Sequence, residues 1–176
     1  MKNDYEAGIQ KVIPAVLIYA FFKHKILMLY RDGKGSKGLQ DHHLGKWNGL
    51  GGKSELGESP LETAKREFLE ESGLDINEDR FELRGSLQFP NFKPHKSEDW
   101  WCSVFTLEFN EKEMRGLAKD YCNEGRLDWV DQDKVFDLNL WEGDRLFLPY
   151  VIQCQSFFGT IWYVDQKVER SWLQKL

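Results

Sequence analysis

Two apolar runs stand near the start of the chain, KVIPAVLIYAFF (11–22) and HKILMLYR (24–31), with the polar pair Lys23-His24 at their junction. Rich in β-branched and large apolar residues, they read as paired strands. A polar stretch, RDGKGSKGLQDHHLGK, follows and reads as a long loop. Further strands fall in FELRGSLQF, WWCSVFTLEF and RLDWV, GDRLFLPYVIQCQSF reads as mostly helical, and a last hairpin runs from GTIWYV to VERSWL. Between these lies one segment whose period is helical throughout. Ser59 is a good N-cap, Pro60 suits the first helical position, Glu62 completes a capping box and Gly73 is set for a left-handed cap, so the helix runs from Pro60 to Ser72. Strands mixed with two or three helices, without regular βαβ alternation, predict an α+β chain: an α/β sandwich on a mixed sheet.

A chain of 176 residues suits one domain, 1–176, because domains commonly run about 100–200 residues. Apolar residues make up 41% and aromatics 14%, enough to pack a core, and no apolar run approaches the roughly 18 residues of a membrane span. The start, MKNDYEAGIQ, lacks the basic and apolar segments of a secretory leader, so a cytoplasmic location is expected. Cys102, Cys122 and Cys154 are odd in number and widely spaced, which fits neither a disulfide framework nor a zinc pattern. A net charge of −5 argues against a partner as large as duplex nucleic acid, though not against a single nucleotide. The protein is expected to be a monomer or dimer with no membrane partner.

On the helix, Leu61, Ala64 and Phe68 form an apolar stripe, and Glu67, Glu70 and Glu71 form a second stripe beside it. Like charges three and four positions apart repel by a few tenths of a kcal/mol per pair, and acids at a helix C-terminus oppose its dipole. A bound cation removes both conflicts, since clustered carboxylates offer the hard oxygen ligands that Mg²⁺ or Mn²⁺ prefers. The plainer alternative is a solvated acidic face balanced by Lys65 and Arg66. Upstream, NGLGGK provides a glycine loop able to bring a bare carbonyl to such an ion.

The array has a fixed spacing: Gly52, five residues, Glu58, seven residues, Arg66-Glu67-Phe68, one residue, Glu70-Glu71, one residue, Gly73-Leu74. It resembles the Nudix box at every defined position, and so the Nudix family of metal-dependent hydrolases, which cleave a nucleoside diphosphate linked to another group. The resemblance implies an α/β/α sandwich with a strand-loop-helix element. It also implies Glu67, Glu70 and Glu71 as metal ligands, a carbonyl ligand from Gly51, and Arg66 orienting the acidic cluster. Relatives commonly add a glutamate from outside the box, and Glu124, in CNEGRLDWV, is the candidate; its alternative is an exposed turn before Gly125. Either Glu71 or Glu124 is then the general base that takes a proton from the attacking water.

The flanks GKWNGLGGK (45–53) and LWEGDRLFLP (140–149) resemble the 8-oxo-dGTP diphosphatase branch of that family, with a likeness extending from Val12 to the last hairpin. By that resemblance Asn48, Trp141, Asp144 and Phe89 form a base pocket, while Lys53 and Arg31 neutralise phosphate. Asn48 both donates and accepts, Trp141 stacks, and Asp144 accepts from guanine-type N–H groups. Each has a plainer reading: Trp141 and Phe89 as core, Asn48 serving the turn before Gly49, Asp144 capping a helix. The sequence departs from the animal-type pattern at one place, where Gly143 precedes Asp144 and two adjacent acids are usual.

The expected activity is Mg²⁺-dependent hydrolysis of an oxidised purine triphosphate to monophosphate and pyrophosphate. ADP-ribose, nucleotide sugars and the 5′ end of RNA are alternative substrates, and a non-catalytic nucleotide sensor is the alternative class. GKGSKG (33–38) lacks the spacing of a P-loop and reads as a mobile loop near the mouth of the site. His42 and His43 read as solvated.

Overall fold

The computed structural model describes residues 11–34, 38–117 and 121–176. The amino-terminal stretch read above for the absence of a leader, and Ser36 with its neighbours in the GKGSKG loop, lie outside those residues. The two apolar runs form β1 (Lys11–Phe22) and β2 (Lys25–Tyr30), followed by the short β3 (Trp47–Asn48) and by α1 (Pro60–Ser72). Next come β4 (Glu82–Lys93), β5 (Glu98–Glu108), α2 (Glu111–Gly116), β6 (Tyr121–Cys122) and β7 (Gly125–Asp131). The chain ends with α3 (Asp144–Ile152) and the hairpin of β8 (Phe157–Val164) and β9 (Lys167–Lys175).

Among the described residues the strands make one mixed sheet in the order β6-β7-β2-β1-β5-β4-β8-β9, with β3 added to β2. β1 lies parallel to β5 and β4 parallel to β8, while the other pairs are antiparallel. A strand covered on both faces must be apolar at nearly every position, and β1 is. Its Ala15, Tyr19 and Phe21 enter a core shared with Phe147, Leu148 and Val151 of α3. Its Val16, Ile18 and Ala20 enter a second core, with Ala64 and Phe68 of α1. The sheet is therefore the middle layer, with α1 and α3 on opposite sides. Phe68 is fully buried, and truncation of such a phenylalanine to alanine costs about 3–5 kcal/mol.

The ends of α1 are those its sequence predicts. Ser59 Oγ accepts from the Glu62 N–H, Glu62 returns a bond to the Ser59 N–H at 2.8 Å, and Gly73 takes φ 76° while donating to Leu69 O. α3 is shorter than its apolar pattern suggested. It stops at Ile152, because Cys154 turns with φ 51° and its N–H bonds back to Val151 O, which frees Phe157 to start β8. α2 was not anticipated; its signal is local, an Asn110–Glu113 capping box. Among the described residues no helix is long and apolar enough to cross a membrane.

Candidate active site

Gly51 sits at φ 130°, and a β-carbon there would fall well inside contact distance of the Val16 carbonyl oxygen, so only glycine fits. That close approach lays the loop against α1. The Gly51 N–H donates to Glu71 Oε2 at 2.8 Å. Glu71 is buried, with 3% of its surface exposed, and its Oε1 is buried without a partner. Burial pushes its pKa well up; Glu124 and Glu67 add to the rise, and the Gly51 bond opposes it. Glu67 lies over Gly52, where a β-carbon would stand 2.5 Å from its Oε1. Its pKa too is raised, chiefly by burial, against the pull of Arg66.

Arg66 organises the rest of the helix face. Its Nε and Nη2 fork onto the Glu58 carboxylate at 2.7 and 2.9 Å, its Nη1 reaches Glu67 at 2.9 Å, and Nη2 also donates to the Lys53 carbonyl. The fork holds the Glu58 carboxyl down at about 2. Glu70 stands at 3.5 Å from the same guanidinium with its side chain 58% exposed. The repulsion expected along this face is thus relieved largely by one arginine.

A second arginine reaches in from the end of β2. Arg31, 4% exposed, donates from Nε to Asp41 at 2.7 Å and pairs through Nη1 with Glu124, leaving Nη2 buried and unpartnered. Two carboxylates already pair with it, so Arg31 is a strut between the 38–44 loop and Glu124.

The other end is aromatic. Trp141 is 5% exposed, its indole N–H donates to His43 Nδ1 at 3.0 Å, and the His42 ring stacks on it at 5.2 Å. Burial lowers the His43 pKa to about 3, so the ring is neutral and its Nδ1 can accept. The two histidines are therefore fixed to Trp141, not simply solvated. Phe89, Phe92 and Tyr163 extend the cluster. Asp144 is not a cap: Gly143 holds the N-cap position of α3, with no side-chain capping bond, and Asp144 is the first helical residue. Burial raises its pKa to about 7, opposed by Lys46 and Arg145.

A cavity of about 760 Å³ joins the two ends. It is lined by Arg31, Asn48, Gly51, Lys53, Arg66, Glu67, Phe89, Glu124, Trp141 and Asp144, whereas Glu70 and Glu71 are outside its lining. Over residues 11–151 the chain matches the family profile of the Nudix domain. The chain belongs to the Nudix family. It is 34% identical over 136 residues to the oxidized purine nucleoside triphosphate hydrolase of Danio rerio, covering 76% of this chain and 81% of that protein. Against the protein of the same name from Mus musculus the identity is 31% over 122 residues, covering 69% and 72%. Its fold superposes on the mutator MutT protein from Bacillus halodurans with a TM-score of 0.75 and 27% identity, covering 92% and 97%. As a Nudix member it is a hydrolase acting on phosphorus-containing anhydrides, a class that uses divalent metal ions.

The Nudix helix fits such an ion. Glu71 Oε1 is an orphaned buried acceptor, Glu67 and Glu124 each interact electrostatically with it, and all are hard oxygen donors. Among the described residues no three His, Cys, Asp or Glu side chains are gathered closely enough to enclose an ion. Guanidiniums of Arg66 and Arg31 hold Glu67 and Glu124 instead. Sequence reasoning missed Asp41, His42, His43, Phe92, Trp100 and Tyr163, which also line the cavity.

Proposed function

We propose that this Nudix hydrolase is a Mg²⁺-dependent nucleoside triphosphate pyrophosphohydrolase acting on oxidised purine nucleotides such as 8-oxo-dGTP. The observation that carries the reading is one cavity with Trp141 and Asp144 at one end and Glu67 and Glu124 at the other. At about 760 Å³ it is of the size that holds one nucleotide-sized ligand. Two relatives above 30% identity named oxidized purine nucleoside triphosphate hydrolases support the substrate class.

In this reading Trp141 stacks on the purine while Asn48 and Asp144 pair with its edge. Phe89 closes the apolar wall, and Lys53 faces the phosphates. Glu67, Glu70, Glu71 and Glu124, with the Gly51 carbonyl, hold the ion, and Arg66 keeps Glu67 in line. A bound divalent cation supplies charge neutralisation at the phosphate oxygens and acidifies water. Glu124 borders the cavity and Glu71 does not, which favours Glu124 as the acceptor of the water's proton and Glu71 as an anchor.

A nucleotide panel with Mg²⁺ tests this, with products identified by chromatography. Monophosphate and pyrophosphate from 8-oxo-dGTP at the highest kcat/KM is the expected result. Preferential cleavage of ADP-ribose, or no turnover of any nucleotide with either Mg²⁺ or Mn²⁺, overturns it.

A further inference from the structure

Gly143 has an ordinary helical backbone, φ −65° and ψ −32°, open to any residue. Its missing side chain has another cause. A β-carbon on Gly143 would collide with the Tyr163 hydroxyl and stand 3.2 Å from Tyr163 Cζ. The Gly143 N–H instead donates to Tyr163 Oη at 2.8 Å. The phenol oxygen thus fills the space where a side chain at 143 would lie, beside Asp144. Its ring is wedged edge-on to Trp141 at 6.1 Å and to Phe92 at 5.8 Å, so its direction is set by packing.

With the oxygen accepting from Gly143, the hydroxyl hydrogen must point elsewhere, and among the described residues it donates to none. Tyr163 and Asp144 both line the cavity. Ionised, as it is above its pKa of about 7, Asp144 accepts only, and a phenol with its lone pair engaged has a donor to offer.

We infer that Tyr163 is a specificity-determining residue whose hydroxyl donates to an acceptor on the base edge, so that Asp144 and Tyr163 together select a purine with ring N–H donors beside a carbonyl, a 6-oxopurine. This rests on the nucleotide reading above and adds to it which purine edge is chosen. A 6-aminopurine places an N–H group opposite that hydrogen and leaves it without an acceptor. Burial, and beside it Asp144, hold the phenol pKa well above its ordinary value, so it remains a donor through the neutral range.

The test measures kcat/KM for 8-oxo-dGTP and 8-oxo-dATP in the full chain and in Tyr163→Phe. The 8-oxo-dGTP to 8-oxo-dATP ratio is expected to fall about tenfold, through loss on the 6-oxo substrate alone. Gly143→Ala displaces the phenol and lowers the ratio in the same way. Added to Tyr163→Phe it lowers the ratio little further, because the group it displaces is gone. An unchanged ratio in Tyr163→Phe, or in Gly143→Ala should Tyr163→Phe not fold, overturns the inference and leaves the nucleotide reading standing. A wild-type protein that hydrolyses neither substrate overturns that reading and the inference with it.

Discussion

At the acidic end of the cavity, Glu58, Glu67 and Glu71 are held by donors from residues 51–71, through the Gly51 N–H and the Arg66 fork. At the aromatic end, Trp141 is held by His43, 98 positions away in sequence, and by rings from β8 and the 38–44 loop. The first is a charged cluster built on one capped helix and its preceding loop; the second is mainly aromatic and assembled from distant segments. On the proposed reading, chemistry and selectivity should be separable by mutation, and Arg31 is a side chain that touches both regions through Asp41 and Glu124.

The strongest way to break that separation is Glu71→Gln. The amide oxygen still accepts from Gly51, so the fold is expected to survive, while turnover falls about 10²–10⁴-fold. Removing a buried carboxylate also raises the melting temperature in chelator. Divalent cation should raise the melting temperature of the wild type and not of the variant, because only the wild type binds it tightly. Near-normal kcat in Glu71→Gln at saturating Mg²⁺ removes Glu71 from the ion site.

Trp141→Ala probes the opposite end with a smaller effect. Loss of stacking is worth about 1–3 kcal/mol per base, so KM for a purine triphosphate should rise roughly 5–100-fold with kcat little altered. The cation-induced rise in melting temperature should persist. A fall in kcat with KM unchanged would show that the two ends do not act separately.

The smallest effect is a pH dependence. The Asp144 carboxyl, at about 7 in the folded protein against 3.8 for an exposed aspartate, keeps its proton in the fold where the unfolded chain has lost it. Folded protein then binds more protons than unfolded protein between pH 4 and 7, so this residue's contribution to stability is complete below pH 4 and declines as pH rises to 7. Tyr19, Tyr163 and Cys102 remain protonated across that window, and the slope that Glu71 and Glu67 add through their own raised pKa values is left in place by a substitution at Asp144. Asp144→Asn should flatten it by about 10 °C in melting temperature. An unchanged slope means the carboxyl titrates normally.

The same contrast explains what was legible in the sequence. Ser59, Glu62 and Gly73 mark α1 by contacts within a turn or two, and the spacing of its glutamates is a helical period, so sequence alone carries both. The strand pattern of β1 and β2 was equally clear, because both faces of the sheet demand apolar residues there. His43 and Tyr163 were not legible. Their roles depend on partners 98 and 20 positions away, and a histidine in a polar loop looks the same whether or not a tryptophan lies against it. α3 was overextended because Phe157 continues an apolar pattern across a turn that only tertiary contacts define.

One strand serves both ends. Because successive side chains of β1 alternate between the α1 core and the α3 core, the parity of a residue number decides which end a substitution disturbs. Damage at Val16, Ile18 or Ala20 propagates toward the helix that carries the glutamates, and damage at Ala15, Tyr19 or Phe21 toward the pocket floor beneath Trp141. In genetic terms, neighbouring positions of β1 should fall into different phenotypic classes, sorted by odd or even position more than by place along the strand.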